Sequence, residues 1–361
     1  MPSLFDPNTG AWNVDWPGRV SRHDLVFLTP PEDPMQGLPI GNGELGALVW
    51  FEPTKLIIAL NKSDLWDDAD CGRFHNWHPD EEEYSTTLRH GGRLILDFQL
   101  PVFDGMYLQD FKARLSLAEA AIEGAATGPF GEVAFRLFVT YASGVLSLEL
   151  DSRLQEDVPL EIKVQRYGSR TFSHWYAQIN GNPELGLDGT TAVADQEGAF
   201  ITHKLTSGTF ATGGRVVESN HLQTDYLVLD SHTAAMSVTG SNKKKLTVLA
   251  TITSPLPDNP IPVLKKAIDE AHKTGQTLLF DAHKAAWKAF WLRSLMEFGD
   301  DYLDNLWHLT MFYAACSQRG KYPGRFINGL WGWNHDVQNW NFYFHWNQQQ
   351  IYWPQIGRAH V

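Results

Sequence analysis

Between residues 25 and 255 the chain is a succession of short apolar runs cut by glycine, asparagine and proline. Residues 46–51 (GALVWF) and 55–60 (KLIIAL) are split by a proline-containing turn, and residues 93–98 follow a Gly-Gly pair. Residues 133–140 and 145–150 flank a Ser-Gly turn, the pattern of a hairpin. Residues 160–164 alternate apolar and polar, and residues 222–229 and 245–253 continue the series. Many short strands with such turns predict an all-β sandwich.

The pattern changes after residue 255. Pro255, Pro257, Pro260 and Pro262 punctuate a linker. Residues 263–273 then place Leu264, Ala267, Ile268 and Ala271 on one helical face, and Gly275 follows as a stop. A second helix is expected over 280–296, carrying Trp287, Phe290 and Trp291, and a third over 301–318, ended by Gly320. Leu303, Leu306, Trp307, Phe312, Tyr313, Ala314 and Cys316 cover nearly every face of the third. A helix apolar on most sides is normally enclosed by other helices, and this chain supplies too few of them. The expected organisation is a sandwich over 10–258, a helical linker over 259–299 and the beginning of a helical domain over 300–355.

A chain of 361 residues exceeds one ordinary core. The net charge of −13 argues against a nucleic-acid partner. No apolar run reaches the roughly 18 residues of a membrane span. Cys71 and Cys316 lie far apart and outside any CxxC pattern, so they read as free thiols and no disulfide scaffold is expected. The N-terminal MPSLFDPNTGAWNV lacks a basic-then-apolar leader. That leaves a cytoplasmic protein and a start other than Met1 both open.

Residues 331–354, WGWNHDVQNWNFYFHWNQQQIYWP, hold five tryptophans among side-chain amides and histidines. Buried amides must find partners, and a buried indole prefers one for its N–H. A sugar supplies flat C–H faces for the rings and hydroxyls for the polar groups. Trp331, Trp333 and Trp346 are therefore candidate sugar platforms, and Asn334, His335, Asp336 and Gln349 candidate hydroxyl partners. The competing reading is an aromatic-rich helix pair in a core, with the amides capping turns. Other motifs carry less. Residues 41–46 (GNGELG) lack the Gly-Lys-Ser/Thr ending of a phosphate loop, and their glycines read as tight turns. His75 and His78 are half a metal site with no matching Cys or His pair. Asp67, Asp68 and Asp70 read as a solvated loop rather than a calcium site. No metal or cofactor is expected.

Residues 37–47 (GLPIGNGELGA), then 60–66 (LNKSDLW), resemble the head of glycoside hydrolase family 95, and residues 341–354 resemble its N-x-N-x-x-x-N-Y-W-P segment. The resemblance implies a multidomain, β-then-α fold: an N-terminal β-sandwich of supersandwich type, a helical linker and the start of an (α/α)6 catalytic barrel, incomplete in this chain. It implies hydrolysis of α-L-fucosides or related α-L-galactosides with inversion. In that family an Asn polarised by a downstream Asp positions the attacking water, and a downstream Glu is the general acid. Aligned on Tyr352-Trp353-Pro354, the family's second Asn falls on Asn347, its first on His345 and its last on Ile351. Asn347 and His345 are thus the candidate catalytic residues, His345 having a near-neutral pKa suited to orienting water or taking a proton. The implied partner is an oligosaccharide or polysaccharide, and the implied location secreted or periplasmic.

Residues 356–361 (IGRAHV) match one reading frame of a common sequencing adapter. They are expected to be an artefact, with the acid Glu and its partner Asp lying beyond the chain, which is then expected to be inactive by itself. A non-catalytic carbohydrate-binding sandwich and a purely structural sandwich are the rival classes.

Overall fold

The structure, a computed structural model, describes residues 5–8, 11–67, 74–75, 82–83, 87–167, 169–170, 185–186, 189–219, 221–293, 295–318 and 330–333. A short helix, α1 (Trp16–Ser21), precedes the strands of the two large sheets. In chain order these are β1 (Leu25–Phe27), β2 (Leu38–Gly41), β3 (Leu45–Glu52), β4 (Lys55–Lys62), β5 (Gly92–Asp97), β6 (Asp110–Ser116), β7 (Ala121–Gly128) and β8 (Gly131–Val139). They continue as β9 (Leu146–Leu154), β10 (Leu160–Gln165), β11 (Thr190–Asp195), β12 (Gly198–Leu205), β13 (Gly208–Glu218), β14 (Gln223–Asp230), β15 (Thr233–Thr239) and β16 (Lys243–Ile252). Three helices follow: α2 (Ile261–Thr274), α3 (Gln276–Trp291) and α4 (Asp301–Ser317).

Apart from four two-residue-strand ladders, the described strands form two large antiparallel sheets. One has seven strands in the order β14-β15-β10-β5-β4-β3-β2; the other has nine, β11-β12-β13-β16-β9-β8-β7-β6-β1. Between them lies the main core, with Val49, Phe51, Ile58 and Leu94 from the first sheet facing Phe111, Leu137, Leu148 and Val248 from the second. Phe51 sits within 4.9 Å of the Phe103 ring and 5.2 Å of Phe111, centroid to centroid. The Ser-Gly hairpin forms as expected: β8 pairs with β9 from Gly131↔Leu154 to Val139↔Leu146.

Each sheet is also covered on its outer face. On the nine-stranded sheet, Val145, Phe200, Ala211 and Leu249 receive Leu264, Ile268 and Ala271 of α2, and Ala121 and Phe138 receive Phe280 of α3. Gly275 joins the two helices at φ 80°, a conformation open to glycine, and both end α2 and start α3 there. The second helix therefore begins four residues before the sequence pattern suggests, and it stops at Trp291.

Helix α4 docks by one face only. His308, Met311, Phe312, Ala315 and Cys316 are buried, whereas Tyr302, Leu303 and Leu306 are exposed. Phe312 packs on Trp287 of α3 at 5.3 Å, and His308 stacks on His23, just after α1, at 4.1 Å. The enclosure expected from sequence is thus met on one side by the sandwich and its own helices. No helix among the described residues is long and apolar enough to cross a membrane.

Because α2 buries its apolar face directly on the sheet, Ile268→Ala should destabilise the sandwich itself, by roughly 2–5 kcal/mol. Urea unfolding followed by fluorescence should show a single transition at a lower midpoint. An unchanged midpoint would mean that α2 is not part of the folded unit.

Candidate functional site

The two head motifs meet the C-terminal part of the chain. In the turn between β2 and β3, Asn42 Oδ1 accepts from the N–H groups of Glu44 (3.0 Å) and Leu45 (2.9 Å). Its Nδ2 donates to Thr140 O at 3.1 Å, tying the turn to the opposite sheet. Gly43, at φ 92°, turns its N–H outward to donate to Cys316 O at 2.7 Å. That carbonyl is in the last turn of α4, where no intrahelical donor is available. At Gly46 the chain leaves no room for a side chain: an added Cβ would overlap Leu330 Cβ. Gly43 serves a turn, as expected from sequence; Gly46 serves a close approach of backbones, which sequence reading missed.

The second motif lies on β4 and just after it. Asn61 Nδ2 donates to Gly332 O at 2.8 Å, and its Oδ1 accepts from Gly91 N–H at 3.3 Å. Trp66 donates from Nε1 to Ser63 O at 2.9 Å, closing the turn on itself.

Asp67 corrects an expectation. Rather than standing in a solvated loop it is buried, as is Arg89, whose Nε and Nη2 donate to Asp67 Oδ2 at 3.0 and 2.8 Å. Oδ1 accepts from Thr206 N–H at 2.9 Å and Thr206 Oγ1 at 3.0 Å. Burial alone would raise the carboxyl pKa, but the Thr206 N–H and the Arg89 guanidinium outweigh it and hold Asp67 below the ordinary carboxylate value. The run of acidic residues in sequence hid this, since nothing local marks Arg89 as the partner.

Trp331 and Trp333 are brought to this joint. Both pack on the outer face of the seven-stranded sheet, over Leu48, Trp50, Ile57, Ala59 and Ile95. Trp331 donates from Nε1 to Ile40 O at 2.9 Å, and its ring meets Tyr313 of α4 at 5.6 Å, edge to face. The Tyr167 hydroxyl donates to Trp333 O. The Arg93 guanidinium lies 4.6 Å from the Tyr167 ring centroid and the His90 ring 5.3 Å from it. Burial pushes the Tyr167 phenol up, with Arg93 opposing. The joint thus gathers indole and phenol rings, an imidazole and a guanidinium beside the point where the chain leaves Trp333. The two half-buried indoles can offer a face to a polar ring; bond cleavage needs an acid and a base in addition. Asn334, His335, Asp336, His345, Trp346, Asn347 and Gln349 lie outside the described residues, as do Cys71, His78, Asp68 and Asp70; the His75 side chain is likewise not described. Asn61, His90 and Tyr167 were not singled out from sequence. Only Asn61 carried a signal there, as part of the LNKSDLW motif.

The depressed Asp67 pKa makes its contribution to stability present above the unfolded carboxyl value of about 3.9, and lost as pH falls through the lower folded value. Arg89→Met should cost about 3–5 kcal/mol at pH 7 by leaving a buried carboxylate unpaired. The loss should shrink toward pH 3 in urea titrations of the two proteins. A loss independent of pH would contradict the ionised pair.

Residues 25–91, which include both head motifs, match the N-terminal domain of glycosyl hydrolase family 65. The match supports a glycoside hydrolase-like class and does not single out family 95. No curated protein sequence matches the chain. Among solved structures, a protein described as a kojibiose phosphorylase from the human microbiome superposes with TM-score 0.63 at 13% identity, over 87% of this chain and 44% of its own. A bacterial glucoamylase complexed with acarbose gives TM-score 0.41 at 6% identity, over 82% of this chain and 44% of its own. The chain therefore spans under half the length of either. Its two-sheet sandwich, of which residues 25–91 match that family model, resembles the N-terminal sandwich domain of glycoside hydrolase-like enzymes.

Proposed function

We propose that this chain forms the sandwich and barrel-entry portion of an enzyme that cleaves glycosidic bonds with inversion, α-L-fucosides and related α-L-galactosides being its substrate class. The carrying observation is that both head motifs hold the strip Leu330–Trp333, from which the tryptophan- and amide-rich segment departs. In this reading Trp331, Trp333 and Trp346 offer ring faces to the sugar. Asn334, His335, Asp336 and Gln349 bind its hydroxyls. Asn347 positions the attacking water with His345 beside it, and a Glu of the longer protein protonates the leaving group, as the family 95 resemblance implies. Water on the face opposite the leaving group gives inversion.

The fold shared with a protein described as a phosphorylase supports a second reading, attack by phosphate in place of water. The two differ in their co-substrate. The intact enzyme should release aryl alcohol from α-L-fucosides or α-L-galactosides without added phosphate, with the inverted sugar formed first by NMR. Asn347→Ala should lower kcat by about 10²–10⁴-fold, with a much smaller change in KM, since the loss lies in the transition state. Turnover only with inorganic phosphate, on kojibiose or another disaccharide, would replace hydrolysis by phosphorolysis. Saccharide binding without turnover would leave a binding module.

A further inference from the structure

The sandwich grips three successive residues of the tryptophan strip. The Trp331 indole N–H donates to Ile40 O at 2.9 Å, Asn61 Nδ2 donates to Gly332 O at 2.8 Å, and the Tyr167 hydroxyl donates to Trp333 O. One bond would allow the strip to pivot. Three on consecutive residues fix its register and the direction in which the chain leaves Trp333.

The two side chains that reach the strip's carbonyls are themselves held. Asn61 is 4% exposed, and its Oδ1 accepts from Gly91 N–H at 3.3 Å, so the amide nitrogen must face Gly332. Arg93 Nη1 donates to the Tyr167 hydroxyl oxygen at 3.4 Å, which leaves the hydroxyl proton for Trp333 O. Arg93 in turn donates from Nε and Nη2 to Gln165 Oε1, at 2.9 and 2.5 Å, so the stacked guanidinium does not swing away. The arrangement is more than a hydrophobic cover needs. Leu48, Trp50 and Ile57 would be shielded by the two indoles in several registers; the hydrogen bonds select one.

We propose that Asn61 and Tyr167 are positioning residues for sugar binding, aiming the Trp333 ring at the substrate through the peptide groups of Gly332 and Trp333. The proposal rests on the glycoside reading above. Neither side chain touches the sugar. A ring platform contacts the sugar alike in the ground state and the transition state, so misaiming it weakens both equally and raises KM without lowering kcat.

The test uses the intact enzyme and an aryl α-L-fucoside or α-L-galactoside. Tyr167→Phe keeps the ring on Arg93 and His90 and removes only the hydroxyl. KM should rise about 3- to 10-fold, the effect of one hydrogen bond. The kcat should stay essentially unchanged, and the melting temperature should fall by no more than a few degrees. Asn61→Leu removes the donor to Gly332 and should also raise KM, at a larger cost in stability because the Gly91 N–H loses its acceptor. In a double-mutant cycle with Trp333→Ala, Tyr167→Phe should add less than about 2-fold, because its effect runs through that ring. Independent, multiplying effects would overturn the proposal. So would a Tyr167→Phe enzyme with wild-type KM, or one in which kcat falls instead. A wild-type enzyme that turns over no glycoside would remove the underlying reading, and this inference with it.

Discussion

Strands β3 and β4 are buried on both faces, and the arrangement of the rest of the chain follows from that. Val49, Phe51, Ile58 and Leu60 point into the space between the sheets, while Leu48, Trp50, Ile57 and Ala59 point the other way. An antiparallel sheet commonly leaves one face to water. This one cannot, since each large apolar side chain left exposed forgoes about 1.5–3 kcal/mol. The described cover is Trp331 and Trp333. The chain must therefore return to the sandwich nearly 270 residues after Leu60, and Gly46 leaves the gap through which it does so closely. Helix α4 is brought to the same corner by the bond from Gly43 N–H to Cys316 O.

Much of this was legible in the sequence. Unbroken apolar runs at 46–51 and 55–60, without alternation, are what strands buried on both faces look like, and the spacing of Leu264, Ile268 and Ala271 identified the face that α2 lays on the sheet. Strands β7, β12 and β13 escaped notice for a physical reason. AIEGAATG, GAFITHKL and GTFATGGRVVE are rich in Gly, Ala and Thr, and only pairing with neighbours on both sides makes them strands. Asp67 was misread because its partners Arg89 and Thr206 are distant in sequence. Tyr167 was invisible for the same reason: its role depends on Trp333, 166 residues away. The candidates Trp331 and Trp333 were found by composition, but composition could not say that the same rings also cover a sheet.

Under the proposed function these rings would serve both the sheet and the sugar. A sandwich joined only by a linker would be an accessory, free to bind carbohydrate or nothing. Here its buried motifs end in hydrogen bonds to Trp331, Gly332 and Trp333, so under the proposed function the sheet would support the start of the site directly. The buried Asp67–Arg89 pair ties the end of the second head motif to the segment just before β5, beside His90 and the Gly91 that Asn61 engages. Polar groups are thus concentrated where the chain segments converge, in a protein whose net charge is otherwise −13.

Sugar binding where the strip leaves the sandwich would be seen in a crystal structure of the intact enzyme with a bound saccharide. A sugar ring should lie against the Trp333 side of the strip, with the Asn61 bond to Gly332 intact. A saccharide seated beside α2 and α3 on the outer face of the nine-stranded sheet, or a strip lifted away from Leu48 and Trp50, would contradict it.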